Sequence, residues 1–134
     1  MAVALTITRL LDIMEQEEYQ IVFKRWSGDY YMFLGRCDHS KLHILINYNR
    51  VYKIPRSEKR VLFIHEFLHA YFDAKFDVCN MNALLSDEDQ EVIVEALAID
   101  ICQRASKRQL AILDKFIDEH LKLADKEFGV TSNG

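Results

Sequence analysis

Residues 61–73 read VLFIHEFLHAYFD, an apolar run interrupted by His65, Glu66 and His69. A helix that only filled a hydrophobic core would carry leucine or alanine at these three positions. An unpaired ionisable group inside such a run costs several kcal/mol, so each of the three side chains needs a partner. The sequence therefore predicts that this segment does chemistry as well as packing.

The three residues form an H-E-x-x-H motif, whose spacing has a mechanical meaning on a helix. His65 and His69 are one turn apart, so both imidazoles leave the same face and can hold one ion. Glu66 lies between them in angle, near the ion without pointing at it. A carboxylate there is expected to take a proton from an attacking water. A catalytic zinc takes three protein ligands, so one ligand remains to be found.

Two carboxylates downstream, Glu91 and Glu95, are candidates for the third ligand, and they too are one turn apart. If Glu91 binds the ion, Glu95 can accept the free ring N–H of a histidine ligand and fix its tautomer. If Glu95 binds the ion, its own neighbour one turn on is Ile99, which cannot play that part. We favour Glu91 as the ligand and keep Glu95 as the alternative.

Two interpretations without catalysis stay open. In one, His65 and His69 are core residues hydrogen-bonded to the backbone or to Glu66. In the other, the zinc is purely structural and has a fourth protein ligand, for which Cys79 is the available candidate.

A hydrolase of this kind also needs a hydrogen-bond donor for the oxyanion that forms when water attacks a carbonyl. The sequence cannot choose among the candidate donors, which are Tyr48, Tyr52, His43 and Tyr71. His39, in a turn, and His43, on a strand, could also touch the site.

The remaining pattern predicts an α+β fold in the order α-β-β-β-α-α-α, with helices packed on a small antiparallel or mixed three-stranded sheet. Short polar connections favour an antiparallel meander. If the third strand is the sheet edge, it could pair with an extended peptide. Ser57 and Ser86 are candidate N-caps. The predicted helices cover about 4–18, 57–73, 87–104 and 110–128, and the strands 21–26, 30–36 and 42–48.

Length and composition restrict the class of protein. A chain of 134 residues without repeats or linkers is most simply one domain, 1–134. Its formal net charge is −4, which gives no basic footprint for nucleic acid.

No segment reads as a signal peptide or a membrane span. An odd number of cysteines, three, favours a reducing compartment, and we expect a cytoplasmic protein. One basic cluster is interpreted as a solvated face: Lys53, Arg56, Lys59 and Arg60.

HEFLH (65–69) followed by E-x-x-x-E (91–95) resembles the gluzincin pattern, in which a glutamate on the next helix joins the H-E-x-x-H helix. That group often has aspartate where this chain has Glu95. The run LGRCDHSKLHILINYNR (34–50) before the motif looks like small zinc peptidases of the ImmA/IrrE type and small zincins of phages and mobile elements. ICQRAS (101–106) departs from the ImmA/IrrE pattern. SprT-type zincins use a third histidine, but the one histidine after His69 is His120.

The resemblance implies a minimal zincin-like metallopeptidase with one Zn²⁺ per chain, and a narrow protein substrate such as a transcriptional regulator. We expect zinc-dependent peptide-bond hydrolysis with Glu66 as the base. The alternative is a catalytically silent zincin-fold protein that binds a regulatory partner.

Overall fold

A computed structural model describes residues 5–28, 33–75 and 86–129 of the chain. Its mixed three-stranded sheet carries helices packed against it, so the predicted α+β class and element order are confirmed, with one short helical turn added after the third strand. In chain order the elements are α1 (Ile7–Gln16), β1 (Gln20–Lys24), β2 (Gly35–Asp38), β3 (His43–Asn47), α2 (Tyr48–Val51), α3 (Arg56–Lys75), α4 (Asp87–Arg104) and α5 (Lys107–Glu127).

The sheet is not the meander that the short connections predicted. Its strand order is β1-β3-β2, with β3 parallel to β1 and antiparallel to β2. The third strand is therefore central, so the condition under which it could pair with an extended peptide, a position at the sheet edge, is not met. Ile44 and Ile46 of β3 are completely buried, and a strand with such a side-chain row gains most from neighbours on both sides. The edges belong to β1 and β2.

The second strand lies later in the chain than predicted. Residues 30–32 of the predicted strand 30–36 lie outside the described residues, and β2 covers Gly35–Asp38. The third strand ends at Asn47, whose side chain accepts from the Asn49 N–H at 3.1 Å and so caps α2. Tyr48 thus begins a helical turn instead of ending the strand.

Helix α3 is the centre of the molecule. It contacts α1, α4, α5 and the two strands β2 and β3, and it buries Phe63 and Phe67 completely. It begins at Arg56, directly after Pro55, whose carbonyl accepts from the Glu58 and Lys59 N–H groups. Ser57 therefore lies within the first turn and is not the N-cap, because the proline with its preset φ already starts the helix one residue earlier.

The N-caps of the other helices follow the expected chemistry. Ser86 accepts from the Asp89 N–H and starts α4, which ends at Arg104 as predicted. Ser106 caps α5 in the same way, so that helix begins at Lys107, three residues before its predicted start. In α1, Thr6 is the cap, and the helix begins later than the predicted residue 4.

Two arginines of the predicted solvated basic face are not free. The Arg60 guanidinium makes a bidentate contact with the Asp114 carboxylate of α5, with N···O distances of 2.8 and 2.7 Å. One turn earlier, Arg56 contacts Asp118 at 2.7 and 3.3 Å. The matching one-turn spacing on both helices pairs these charges, so they join α3 to α5.

Within the described residues, no helix is both long enough and apolar enough to cross a membrane.

Candidate metal centre

The two histidines of the motif lie together on α3, with their Nε2 atoms 3.3 Å apart. Both side chains are largely shielded, with 12% of His65 and 18% of His69 exposed. Burial lowers the pKa of His69, although the nearby Glu91 carboxylate opposes that shift. The neutral imidazole that burial favours is the form that binds metal ions.

Glu91 approaches this pair from α4. One of its oxygens lies 2.9 Å from His65 Nε2, and the other lies 2.8 Å from His69 Nε2. Glu95, one turn further along α4, places an oxygen 3.4 Å from the opposite ring nitrogen of His65, Nδ1. The structure thus brings together the two histidines and both carboxylates that the sequence singled out. Glu91 lies at the Nε2 atoms of the two histidines, and Glu95 lies at the Nδ1 atom of His65.

Two neutral imidazoles do not satisfy every contact in this cluster. A neutral imidazole has one N–H, yet His65 faces a carboxylate at each ring nitrogen. A positive charge at the Nε2 atoms supplies what is missing, and either one added proton or a divalent cation can provide it. With a divalent cation at the Nε2 atoms, His65 would donate Nδ1–H to Glu95.

The spacing fits such a cation. Two nitrogens that each lie about 2.05 Å from a tetrahedral zinc are about 3.3 Å apart. The Nε2 atoms of His65 and His69 show this separation. A metal-sized group of donor atoms, all within 4.8 Å of one another, is formed by His65, Glu66 and His69. We regard Glu91 as the better third donor, because its oxygens contact both Nε2 atoms directly.

Glu66 is buried, with 4% of the residue exposed, which is rare for a carboxylate. Burial raises the pKa of Glu66 to about 8, and Glu91 and Glu95 add to the rise. A cation held by the two histidines would oppose that rise. A buried carboxylate beside a metal site is placed to accept a proton from a water molecule.

The lack of a side chain at Gly35 leaves space for the Glu66 carboxylate. A Cβ at position 35 would lie 3.0 Å from Glu66 Oε2, 3.0 Å from Leu62 Cδ1 and 3.1 Å from the Leu45 carbonyl oxygen. Edge strand β2 therefore packs its backbone directly against the Glu66 carboxylate. A glycine inside a predicted strand was the sequence signal for this close approach.

The candidate oxyanion donors are placed elsewhere. The hydroxyl groups of Tyr48 and Tyr52 both donate to Asp125 of α5. His43 lies on the face of β3 opposite to the buried Ile44 and Ile46. Because Gly35 is opposite Ile46, that outer face is turned away from Glu66.

The fourth candidate, Tyr71, follows His69 by two positions, which is about 200° around the helix. It is partly buried beside Phe72, with the ring centroids 5.5 Å apart. Tyr48 and Tyr52 thus contact α5, and Tyr71 leaves α3 on a different face from His65 and His69.

Two other residues bear on the ligand set, His120, which the sequence disfavours, and Cys79. His120 lies on α5, where its Nδ1 contacts the Phe116 carbonyl at 2.8 Å, so the structure does not bring it to the His65–His69 pair. Cys79, the candidate fourth ligand, lies outside the described residues.

The sequence reasoning missed Asp73. It lies one turn beyond His69 on the same face of α3 and contacts His39 Nδ1 at 3.4 Å. Its spacing of four residues from His69 was the available signal.

No protein-family model matches this sequence, and no curated protein and no solved structure matches it either. The site is therefore interpreted from its own geometry.

Proposed function

We propose that the protein is a small zinc-dependent peptidase of the H-E-x-x-H type, formed by one domain over residues 1–134. The observation that carries the proposal is the convergence of the His65 and His69 Nε2 atoms on the Glu91 carboxylate, next to the buried Glu66. The resemblance to gluzincins and to ImmA/IrrE-type peptidases agrees with it.

In this proposal His65, His69 and Glu91 hold the ion, and Glu95 orients His65 through its Nδ1–H. Zinc, when bound, polarises the substrate carbonyl and lowers the pKa of the attacking water. Glu66 takes the proton from that water and later delivers it to the leaving amine. No covalent intermediate with the protein is needed. Among the described strands, β2 is hydrogen-bonded to β3 alone, so its outer edge is the one that could pair with an extended peptide.

The substrate class follows from the resemblance alone. We infer a narrow protein substrate, such as a transcriptional regulator, in a reducing cytoplasmic setting. Cys37 and Cys102 are free thiols, which agrees with such a setting.

A second candidate function is binding of a regulatory partner without turnover. Exposed apolar residues on α4 next to the ligand carboxylate favour it, since Val92 is 68% and Ile99 40% exposed. The buried Glu66 favours the peptidase, because a binding protein has no use for a shielded base.

The test replaces Glu66 with glutamine. We expect Glu66→Gln to bind one zinc per chain like the wild type, because the two histidines and Glu91 are intact. Hydrolysis of a mixed peptide library, followed by mass spectrometry, should fall by a factor of about 100 or more.

A Glu119→Gln variant is the control, since Glu119 is an exposed residue of α5 whose described ion pair is to Lys115. Peptide cleavage that survives in Glu66→Gln would show that the base is wrong. Zinc binding without any cleavage by the wild type would favour the partner-binding alternative.

A further inference from the structure

Helix α4 exposes several apolar side chains close together. Val92, Ile93 and Ile99 are 68%, 43% and 40% exposed. In the described part of the chain seven large apolar side chains are exposed, and these three lie within two turns of one helix. The other four come from four separate segments. Single exposed apolar residues are ordinary, whereas neighbouring ones mark a contact surface.

The spacing on α4 makes these side chains into a stripe. Each residue advances about 100° around a helix, so Val92, Ala96 and Ile99 lie within about 60° of one another. All three are exposed, and we call them the outer stripe. Val94 and Ile101 are buried on the opposite side of the helix. The outer stripe extends about 10 Å along the helix axis.

Acidic side chains border the outer stripe on both sides. Glu88 and Glu95 follow one border, and Asp89 and Asp100 follow the other. Asp100 is paired with Arg104 of the same helix at 2.7 Å. Glu95 reaches the candidate metal centre from its border, so the outer stripe lies beside that centre.

The negative charge of the chain is concentrated on α4. This helix carries six acidic residues and one arginine, a net charge of −5. The whole chain has 21 acidic and 17 basic residues, which leaves 15 acidic and 16 basic residues outside α4. Such a face repels nucleic acid and anionic lipid, and it also repels the same face of a second copy. A cationic partner is the one that this charge favours.

The backbone of α4 restricts the conformation of a partner. Its N–H and C=O groups are hydrogen-bonded within the helix, so an extended peptide cannot add to this face as a strand. A segment that docks here must satisfy its own backbone groups, as a helix does. Two helices pack when the side-chain rows of one fit between the rows of the other.

We propose that the outer stripe binds an amphipathic helix of a partner protein, whose apolar residues are three and four positions apart and are bordered by lysine or arginine. Its apolar side chains cover Val92 and Ile99, and its cations face the acidic borders. The inference goes beyond the proposed hydrolysis, because no residue of the outer stripe is a candidate zinc ligand. A partner docked here lies next to the candidate metal centre.

The test uses designed peptides and the full-length protein. The probe is a labelled peptide of about 18 residues, with leucines at helical spacing bordered by lysines, since much shorter helices are marginal in water. A second peptide has the same composition in scrambled order, and a third has glutamate in place of lysine. Fluorescence anisotropy measures binding to the zinc-loaded and to the metal-free protein.

Two double variants separate apolar contact from charge. Val92→Gln with Ile99→Gln removes the apolar stripe and keeps good helix formers. Glu88→Gln with Asp89→Asn removes two border charges. Leu123→Gln with Glu119→Gln is the matched control, because it changes one exposed apolar and one exposed acidic side chain of α5.

We expect the Val92→Gln, Ile99→Gln variant to weaken binding of the lysine peptide by a factor of about ten or more, because it removes the apolar surface that is covered. The Glu88→Gln, Asp89→Asn variant should weaken it by a factor of about three at low salt and by less at high salt. Both variants should bind one zinc per chain, and the α5 control should bind the peptide like the wild type.

Equal binding of the scrambled or the glutamate peptide would overturn the inference, as would unchanged binding by the Val92→Gln, Ile99→Gln variant. A wild-type dimer that this variant abolishes would overturn it too, because a second copy would then occupy the outer stripe. These outcomes leave the proposed function standing. A wild type that binds the lysine peptide without zinc and fails to bind zinc would support this inference and overturn the proposed function.

Discussion

Helix α3 meets two neighbours through the same arrangement of charged residues, with different results. Toward α5, Arg56 and Arg60, one turn apart, face Asp118 and Asp114. Toward α4, His65 and His69, also one turn apart, face two glutamates with the same spacing, Glu91 and Glu95.

The difference between the two interfaces lies in the cations. A guanidinium is always charged and has donors for both oxygens of a carboxylate, so the α3–α5 interface is complete. A neutral imidazole has one donor, so two neutral rings have fewer donors than the α3–α4 interface has carboxylate contacts. The same spacing therefore gives an ion-pair interface with arginine and a candidate cation site with histidine.

The largest effect is expected from zinc itself. With free zinc at about 1,000 times its Kd, binding should raise the free energy of unfolding by about 4 kcal/mol. His69→Ala should lose this increment, because it removes one of the donors that meet at Glu91. Urea unfolding with and without zinc measures it. An equal increment in His69→Ala would place the bound zinc elsewhere.

The two glutamates should differ in their effect on zinc affinity. Glu95→Ala removes only the acceptor for His65 Nδ1, and such a loss typically weakens metal binding by about 10- to 100-fold. Glu91→Ala removes a direct donor and should weaken it more. Competition with a chelator gives both affinities, and Glu88→Ala, an exposed residue in the first turn of α4, is the control. The reverse order would make Glu95 the ligand.

The Arg60–Asp114 pair should contribute to stability in a pH-dependent way. The hydrogen bonds from Arg60 hold the pKa of Asp114 below its ordinary value. Its contribution is therefore complete above about pH 4 and is lost as the pH falls through the native pKa. In metal-free protein, Asp114→Asn should cost about 1–2 kcal/mol at pH 6 and much less at pH 2.5. Denaturant titrations at both pH values check this, and a constant cost would contradict it.

The smallest effect is expected at Arg56. Its pair with Asp118 is 43% and 47% exposed, and exposed ion pairs contribute little. Arg56→Ala should change the free energy of unfolding by less than about 0.5 kcal/mol and leave zinc binding unchanged. A larger loss would mean that both pairs work as one network.

The sequence predicted well which residues share one face of a helix. Helix spacing alone places His65 and His69 on one face and sets Glu91 and Glu95 one turn apart on another helix. The N-cap of α4 follows from Ser86. These features are local, because residues three or four apart on a helix are always neighbours.

The strand order and the contacts of His39 were harder to predict, since they depend on residues far apart in the chain. The apolar run LHILINY (42–48) predicts a strand. It does not show which strands lie beside it, so the central position of β3 was missed. His39 was noted, yet its contacts with Asp73 and Tyr19 join residues far apart in the chain. Tyr48 and Tyr52 were misjudged because Asp125, the acceptor of both hydroxyls, lies near the other end of the sequence.

The way α4 packs has a consequence for what a bound cation would add. This helix of 18 residues buries three side chains, Val94, Ala98 and Ile101, none of them aromatic. The residues that face the His65–His69 pair from α4 are carboxylates, Glu91 and Glu95. A cation held there would therefore join α3 and α4 at a place where apolar packing does not.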